Sequence, residues 1–415
     1  MNGCSWYTYI GGSMKRIIFH IDVNNAFLSW TAVDLLNKGH KVDIRNTIAI
    51  IGGDETNRKG IVLAKSMPAK KYGIVTAETI YSAKSKCRRL DIYPPNYKFY
   101  LEMSNKLFEV LYEYTPDIEV ASIDECYLDY GKVKKLYGDE LEFAYKLKER
   151  VKKELGFTVN IGIANNKLCA KMASDFSKPD KIHTLYEEEV PLKMYPLPVS
   201  ELFGIGKKSL PKLESLGIHT IEDLALYDLH ILTRHFKNQA LKMIESAKGI
   251  DDSIVDSSEH DPESIGNEFT LSHDSTEKKE LYKELFLLSE MVGERIRKKK
   301  KYANVICVIL KDQFFKRKTH QKKLKNATDI TSEIYEISKG ILDEFWTGES
   351  VRLIGIRLDN LTDEVLYQTS LFEDIIVRDK EKNFDSVVDS INKKFGSKVV
   401  NKASLIKKDY KKEKE

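Results

Sequence analysis

Acidic residues interrupt two runs that otherwise read as apolar strands, and this limits the possible folds more than any other feature. Asp22 lies near the end of Arg16–Val23 (RIIFHIDV), and Asp124-Glu125 breaks Ile118–Leu128 (IEVASIDECYL). A carboxylate inside a β-branched run is costly to bury unless a cation or hydrogen bonds compensate it. Neighbouring strand residues point to opposite faces, so Asp124 and Glu125 share one ion only where the chain bends, as at a hairpin turn. Asp22 on an adjacent strand then completes a three-carboxylate cluster. Such a cluster repels itself and calls for hard divalent cations, with Mg2+ the usual choice where phosphates supply other ligands. Taken alone, Asp124-Glu125 fits a capped, exposed turn at least as well.

Strand and helix patterns alternate over residues 14–186. Strands are predicted at Thr47–Ile51, Gly60–Ala64 and Phe157–Ala164. Helices are predicted at Asn105–Tyr114, Leu141–Leu155 and Lys167–Phe176. Residues 187–249 read as short helices with glycine-containing turns, and the polar stretch DSSEHDPES (256–264) as a linker. A compact β-α-β-β-α-β pattern follows, from Ile265–Leu271 to Val351–Leu358, long enough for a separate small domain. The expected fold class is α/β and α+β, multidomain, as 415 residues exceed what one core organises.

The longest apolar runs fall far short of a membrane span. The five cysteines are scattered, without a CxxC pair, which argues against a disulfide framework or structural zinc and for a reducing, cytoplasmic setting. Residues 1–13 read as a short extension without the pattern of a secretory signal. The net charge of +4 is unevenly spread: Arg295–Lys325 holds 13 Lys/Arg against one acid, and Lys393–Glu415 nine Lys against three acids. Such blocks suit a polyanion partner, and equally a solvated lysine-rich surface. The Lys-rich tail reads as disordered.

HIDVNNAF, ASIDECYLDY and NIGIANNKLCAKMASDFSKPDK, in that order, resemble the palm motifs of Y-family DNA polymerases, nearest to the DinB (DNA polymerase IV) branch. The resemblance covers residues 15 to about 374. It implies a right-hand architecture: palm at 14–25 and 96–186, fingers at 26–95, a helix-hairpin-helix thumb at 187–255, a linker at 256–264, a little finger at 265–360, and a C-terminal tail at 361–415. It also implies low-fidelity, translesion DNA synthesis without proofreading. Two Mg2+ ions would be held by Asp22, Asp124, Glu125 and the backbone carbonyl of Val23. Phe27 resembles the steric gate against a ribose 2′-hydroxyl. Lys167 falls where the resemblance expects a triphosphate-binding lysine, and Lys70 and Lys71 are further phosphate contacts.

The family's Asn-Tyr-x-Ala-Arg-Lys-Phe-Gly segment reads here Ser66-Met67-Pro68-Ala69-Lys70-Lys71-Tyr72-Gly73. Met67 donates no hydrogen bond and Lys70 lacks the arginine fork, so weaker nucleotide affinity is expected. Asn25 stands where an aromatic is common. Gly52-Gly53-Asp54-Glu55 superficially matches a diguanylate cyclase motif, but its context is a surface turn. Gly204, Gly206, Lys207 and Lys208 resemble a helix-hairpin-helix that grips DNA phosphates without reading sequence; a second hairpin near Phe236–Gln239 lacks the glycines. Lys316, Arg317 and Lys318 lie in a basic strand suited to duplex phosphates. Residues 368–374 (QTSLFED) resemble a sliding-clamp peptide anchored by Gln368, Leu371 and Phe372.

The expected partners are primer-template DNA, deoxynucleoside triphosphates and the clamp, with the chain monomeric and off the membrane. A non-catalytic scaffold bound to the clamp at stalled primer ends is the alternative, and it predicts damaged metal ligands. A nucleotidyl cyclase would need neither the hairpin, nor the basic sheet, nor the clamp peptide.

Overall fold

The computed structural model describes residues 16–53, 60–258, 260–364 and 375–396. They fall into two compact units that divide at residue 259, inside the expected linker.

The first unit contains β1 (Ile18–Val23), β2 (Ala49–Gly52), β3 (Val62–Lys65), β4 (Asp91–Tyr93), β5 (Ile118–Val120), β6 (Glu125–Asp129), β7 (Val159–Ala164) and β8 (Ile182–Leu185). Five of them form a sheet in the order β5-β6-β1-β7-β8, with β1 antiparallel to both neighbours. Because β1 and β7 are covered on both faces, their sequences run apolar almost without alternation. Phe19, Ile21 and Val23 point into one core with the Tyr97–Tyr112 and Glu140–Leu155 helices. Ile18 packs on the other side with Leu168 and Met172 of the Lys167–Asp175 helix. By the two-residue period of a strand, His20 and Asp22 share that second face.

A smaller sheet, β3-β2-β4, packs with the Met67–Lys71 and Ile80–Lys86 helices. Of these elements, β4 and the Ile80–Lys86 helix were not read from the sequence. Beyond β8 come the expected short helices, including Leu210–Ser215, Ile221–Ala225, Leu229–Phe236 and Gln239–Ala247.

The second unit contains β9 (Ser264–Ser275), β10 (Tyr302–Asp312), β11 (Arg317–Thr328) and β12 (Val351–Thr362), all antiparallel in the order β11-β10-β12-β9. The Lys278–Lys298 and Thr331–Phe345 helices share its core, which completes the β-α-β-β-α-β pattern read from the sequence. Among the described residues no helix is long and apolar enough to cross a membrane.

Within the segment read as tail, Ile375–Phe395 is a helix docked on the second unit. Its inward face is polar. Asp385 accepts the Thr331 backbone N–H at 2.8 Å and pairs with Arg297 at 3.1 Å, while Asp389 holds Arg297 at 2.7 Å. Arg378 pairs with Glu333 at 2.6 Å. The sequence does carry an apolar period here, at Phe384, Val388, Ile391 and Phe395, which the reading of the segment as a tail does not take up. Removing one partner of a buried ion pair costs more than the pair contributes, so Asp385→Ala is expected to destabilise the second unit by about 2–4 kcal/mol. Asp385→Asn, which keeps an acceptor for Thr331, loses less. Urea denaturation of the two variants checks both.

Candidate active site

The bend required at Asp124 is present. Ser122–Asp124 leave the strand path, and the Ala121 and Ser122 backbone N–H groups both donate to the Glu125 carbonyl, closing the β5–β6 hairpin. Across the sheet Asp22 is the register partner of Glu125, and the Val23 N–H donates to the Asp124 carbonyl at 2.9 Å. The three acids named from the sequence are therefore brought to one end of β1 and β6.

Their charges are balanced by lysines that the sequence reading did not select. Lys171 lies 2.7 Å from Glu125, 3.6 Å from Asp22 and 3.5 Å from Asp175. Lys178 lies 2.8 Å from Asp22 and 2.9 Å from Asp175. Burial works against the charges of Lys171 and Lys178, but the facing carboxylates raise both pKa values. The nearby His20 ring and the Lys171 ammonium, 2.7 Å away, hold the Glu125 carboxyl below its ordinary value. Asp124 goes the other way: burial raises it, against a hydrogen bond from Ser122 at 2.6 Å, and Asp22 and Glu125 add to the rise.

Behind the acids, His20 is fully buried. Its Nδ1 is 2.8 Å from Ser174 Oγ and its Nε2 is 3.3 Å from Glu125 Oε2. The Nε2 contact lacks hydrogen-bond alignment and that atom has no other partner. Burial lowers the His20 pKa and favours a neutral ring. Gly162, the register partner of His20 on β7, lets the Lys167–Asp175 helix come this close. A Cβ there would meet the Ala170 carbonyl oxygen at 2.0 Å and the Ser174 nitrogen at 2.5 Å.

A second buried network fixes Lys178. The Asn24 amide donates to Asn160 Oδ1 at 3.0 Å, and the Asp180 N–H donates to Asn24 Oδ1 at 2.8 Å. Asn160 itself donates to the Ser174 and Ser177 carbonyls at 2.9 and 2.7 Å. The end of β1, β7 and the chain carrying Lys178 are thereby tied together.

Other candidates fall elsewhere. Lys167 is not with the acids: both Glu119 oxygens hold its ammonium, at 2.6 and 2.7 Å, and the Tyr127 ring lies beneath it. It sits one helical turn before Lys171, and one turn decides which strand a lysine reaches. Phe27 stacks on Tyr100 with centroids 4.7 Å apart. Asn25 has φ +52°, which asparagine tolerates better than an aromatic, and its amide donates to the Lys65 carbonyl at 2.5 Å. Lys70 and Lys71 are exposed on a helix capped by Ser66.

Gly204 takes φ +95°, and Lys207 and Lys208 are exposed beside Gly206. Thr220 and Asp223 form the expected capping box. The second hairpin turns without glycine, on Lys237 at φ +51°. In the second unit Lys316 is exposed, Arg317 meets Glu268 at 3.2 Å and Lys318 meets Glu349 at 2.5 Å. Residues 1–13 and the peptide with Gln368, Leu371 and Phe372 lie outside the described residues.

The donor set of carboxylates and a strand-end carbonyl is all oxygen, which suits a hard divalent cation. Among the described residues, however, no three acidic, histidine or cysteine side chains form a ready metal cage, because lysines stand between them. Gly162→Ala is expected to cost about 3 kcal/mol or more, since the Cβ meets rigid backbone; thermal unfolding measures it.

Comparison with known proteins adds three family matches. The impB/mucB/samB family model matches residues 21–175, its C-terminal domain 262–371, and the IMS family HHH motif 187–218. The chain is 45% identical over 399 residues to DNA polymerase IV of Clostridium acetobutylicum, covering 96% of this chain and all of that protein. It is 34% identical over 402 residues to DNA polymerase IV 1 of Bacillus subtilis, covering 95% and 94%. A solved Y-family DNA polymerase chimera of Dbh and Dpo4 shares the fold, with a TM-score of 0.73 and 24% identity over 84% of this chain and all of that one.

Proposed function

The chain belongs to the impB/mucB/samB family of Y-family DNA polymerases, on the DNA polymerase IV branch, and we propose that it is a translesion polymerase working by two-metal nucleotidyl transfer. The observation that carries this is the meeting of Asp22, Asp124 and Glu125 at one strand end, with Lys171 and Lys178 beside them.

Asp22, Asp124, Glu125 and the Val23 carbonyl are the groups that would hold the cations, which we take to be Mg2+. When bound, such a pair would activate a primer 3′-hydroxyl and neutralise charge on the departing pyrophosphate. The protein's own work is positioning. His20 and the hairpin bend hold the acids, and the Asn24–Asn160 network holds Lys178 where a triphosphate would reach it. Lys178 takes the role first expected of Lys167, with Lys70 and Lys71 as outer phosphate contacts. Phe27, braced by Tyr100, has the rigidity a sugar gate needs.

In this reading the first unit supplies the palm at 14–25 and 96–186, the fingers at 26–95 and the thumb at 187–255. The second unit supplies the little finger at 265–360. Gly204, Gly206, Lys207 and Lys208 grip the DNA backbone, and the edge of β11 with Lys316, Arg317 and Lys318 adds salt-dependent affinity. Gln368, Leu371 and Phe372 dock the chain on a sliding clamp. The polymerase acts in the cytoplasm as a low-fidelity monomer.

Primer extension tests the centre. Asp124→Ala should lower the rate at least about a hundredfold; extension at the wild-type rate would remove the site. Lys178→Ala should raise the nucleotide KM by about tenfold, as expected for a lost charged hydrogen bond, while Lys167→Ala leaves it near wild type. The opposite ranking would return the triphosphate to Lys167. Phe27→Ala should admit ribonucleotides, and unchanged sugar selection would defeat the gate.

A further inference from the structure

The β10–β11 hairpin ends in a turn more elaborate than strand pairing requires. The Asp312 N–H donates to the Lys316 carbonyl at 3.1 Å, and the Phe315 N–H to the Asp312 carbonyl at 3.0 Å. The Asp312 carboxylate also accepts the N–H groups of Phe314 and Lys316, at 2.8 and 2.9 Å. Within this closed turn Phe315 adopts φ +64°, a conformation that hairpins normally give to glycine or asparagine. A bulky residue persists there only when its surroundings hold it. The Arg352 guanidinium does so, 4.8 Å from the Phe315 ring centroid, and Asp274 fixes Arg352 through two hydrogen bonds of 3.1 and 3.0 Å.

The result is a braced turn that projects a neighbouring ring. Phe314 is 79% exposed. Beside it Lys316 is exposed, and the first residues of β11 are basic, although Arg317 and Lys318 also meet Glu268 and Glu349. A protein partner would have to bury lysines, which interface centres avoid. A paired duplex keeps its base faces stacked inside and offers this ring nothing. Unpaired nucleotides fit both halves of the feature, an aromatic face for a base and cations for the phosphates around it.

We propose that the Asp312–Lys316 turn is a stacking site for unpaired nucleotides, with Phe314 against a base and Lys316 on a flanking phosphate. The idea rests on the polymerase reading in one respect: the natural occupant is the single-stranded template. The braced backbone matters because a ring already held outward loses little freedom when a base stacks on it.

Fluorescence anisotropy with the full chain tests this, comparing a blunt duplex with the same duplex bearing a single-stranded overhang. Phe314→Ala should bind the overhang DNA about tenfold more weakly, the usual scale of one lost stack, with the blunt duplex unchanged. Phe314→Trp should restore binding, and overhang DNA should quench its added indole emission. No loss, or equal loss on both DNAs, would overturn the proposal. So would self-association by light scattering that disappears in Phe314→Ala, since the ring would then serve contact between copies. The two readings separate cleanly. If the wild type extends no primer yet keeps the Phe314-dependent overhang preference, the polymerase reading fails and the stacking site stands.

Discussion

Charge compensation at the end of β1 is the constraint on which the first unit depends. Three acids brought to one strand end need opposing charge beside them, and at Asp124 burial and the neighbouring acids disfavour the charged form. Two lysines from the segment after β7 supply the opposing charge: Lys171 lies on a helix that packs closely because Gly162 carries no side chain, and Lys178 on the chain held by the Asn24–Asn160 network. The glycine, the helix above it and the acids therefore form one mechanical unit. The same closeness brings Ser174 to His20, and His20 to Glu125.

A carboxylate cluster held by ammonium groups suits phosphate chemistry. In the proposed reading the acids would offer oxygen ligands to hard cations, and the lysines point charges to phosphate oxygens. The strands that carry the acids are held in place, since β1 is buried and paired with β6 on one side and β7 on the other. The second unit uses charge differently. Its Arg297–Asp385–Asp389 cluster is structural and inward, whereas the exposed half of β11 spreads lysines over an edge strand, as an edge that must not pair with other strands requires.

Much of this was legible in the chain. The acids stood out because a charge in a β-branched run demands an explanation, and the hairpin bend followed from strand geometry. The β-α-β-β-α-β pattern of the second unit was clear because each element is long enough to show its period. Lys167 came from the resemblance alone; that Lys171, one helical turn on, and Lys178, beyond the helix, face the acids depends on the facing strands. His20 and Asn160 looked like ordinary strand residues. The Ile375–Phe395 helix was legible in the spacing of Phe384, Val388, Ile391 and Phe395 but was passed over; what the sequence does not show is that Asp385 and Asp389 anchor it.

The sequence by itself determined the periods, the breaks in them and the types of group available, since these are properties of local geometry and composition. It therefore marked Asp22, Asp124 and Glu125 and the division near residue 259. Only the tertiary structure decided which lysine faces which acid, that a histidine backs Glu125, and that Phe314 is thrust outward from a braced turn. Those outcomes turn on packing distances between segments remote in sequence, where a missing Cβ or a single helical turn changes the partner.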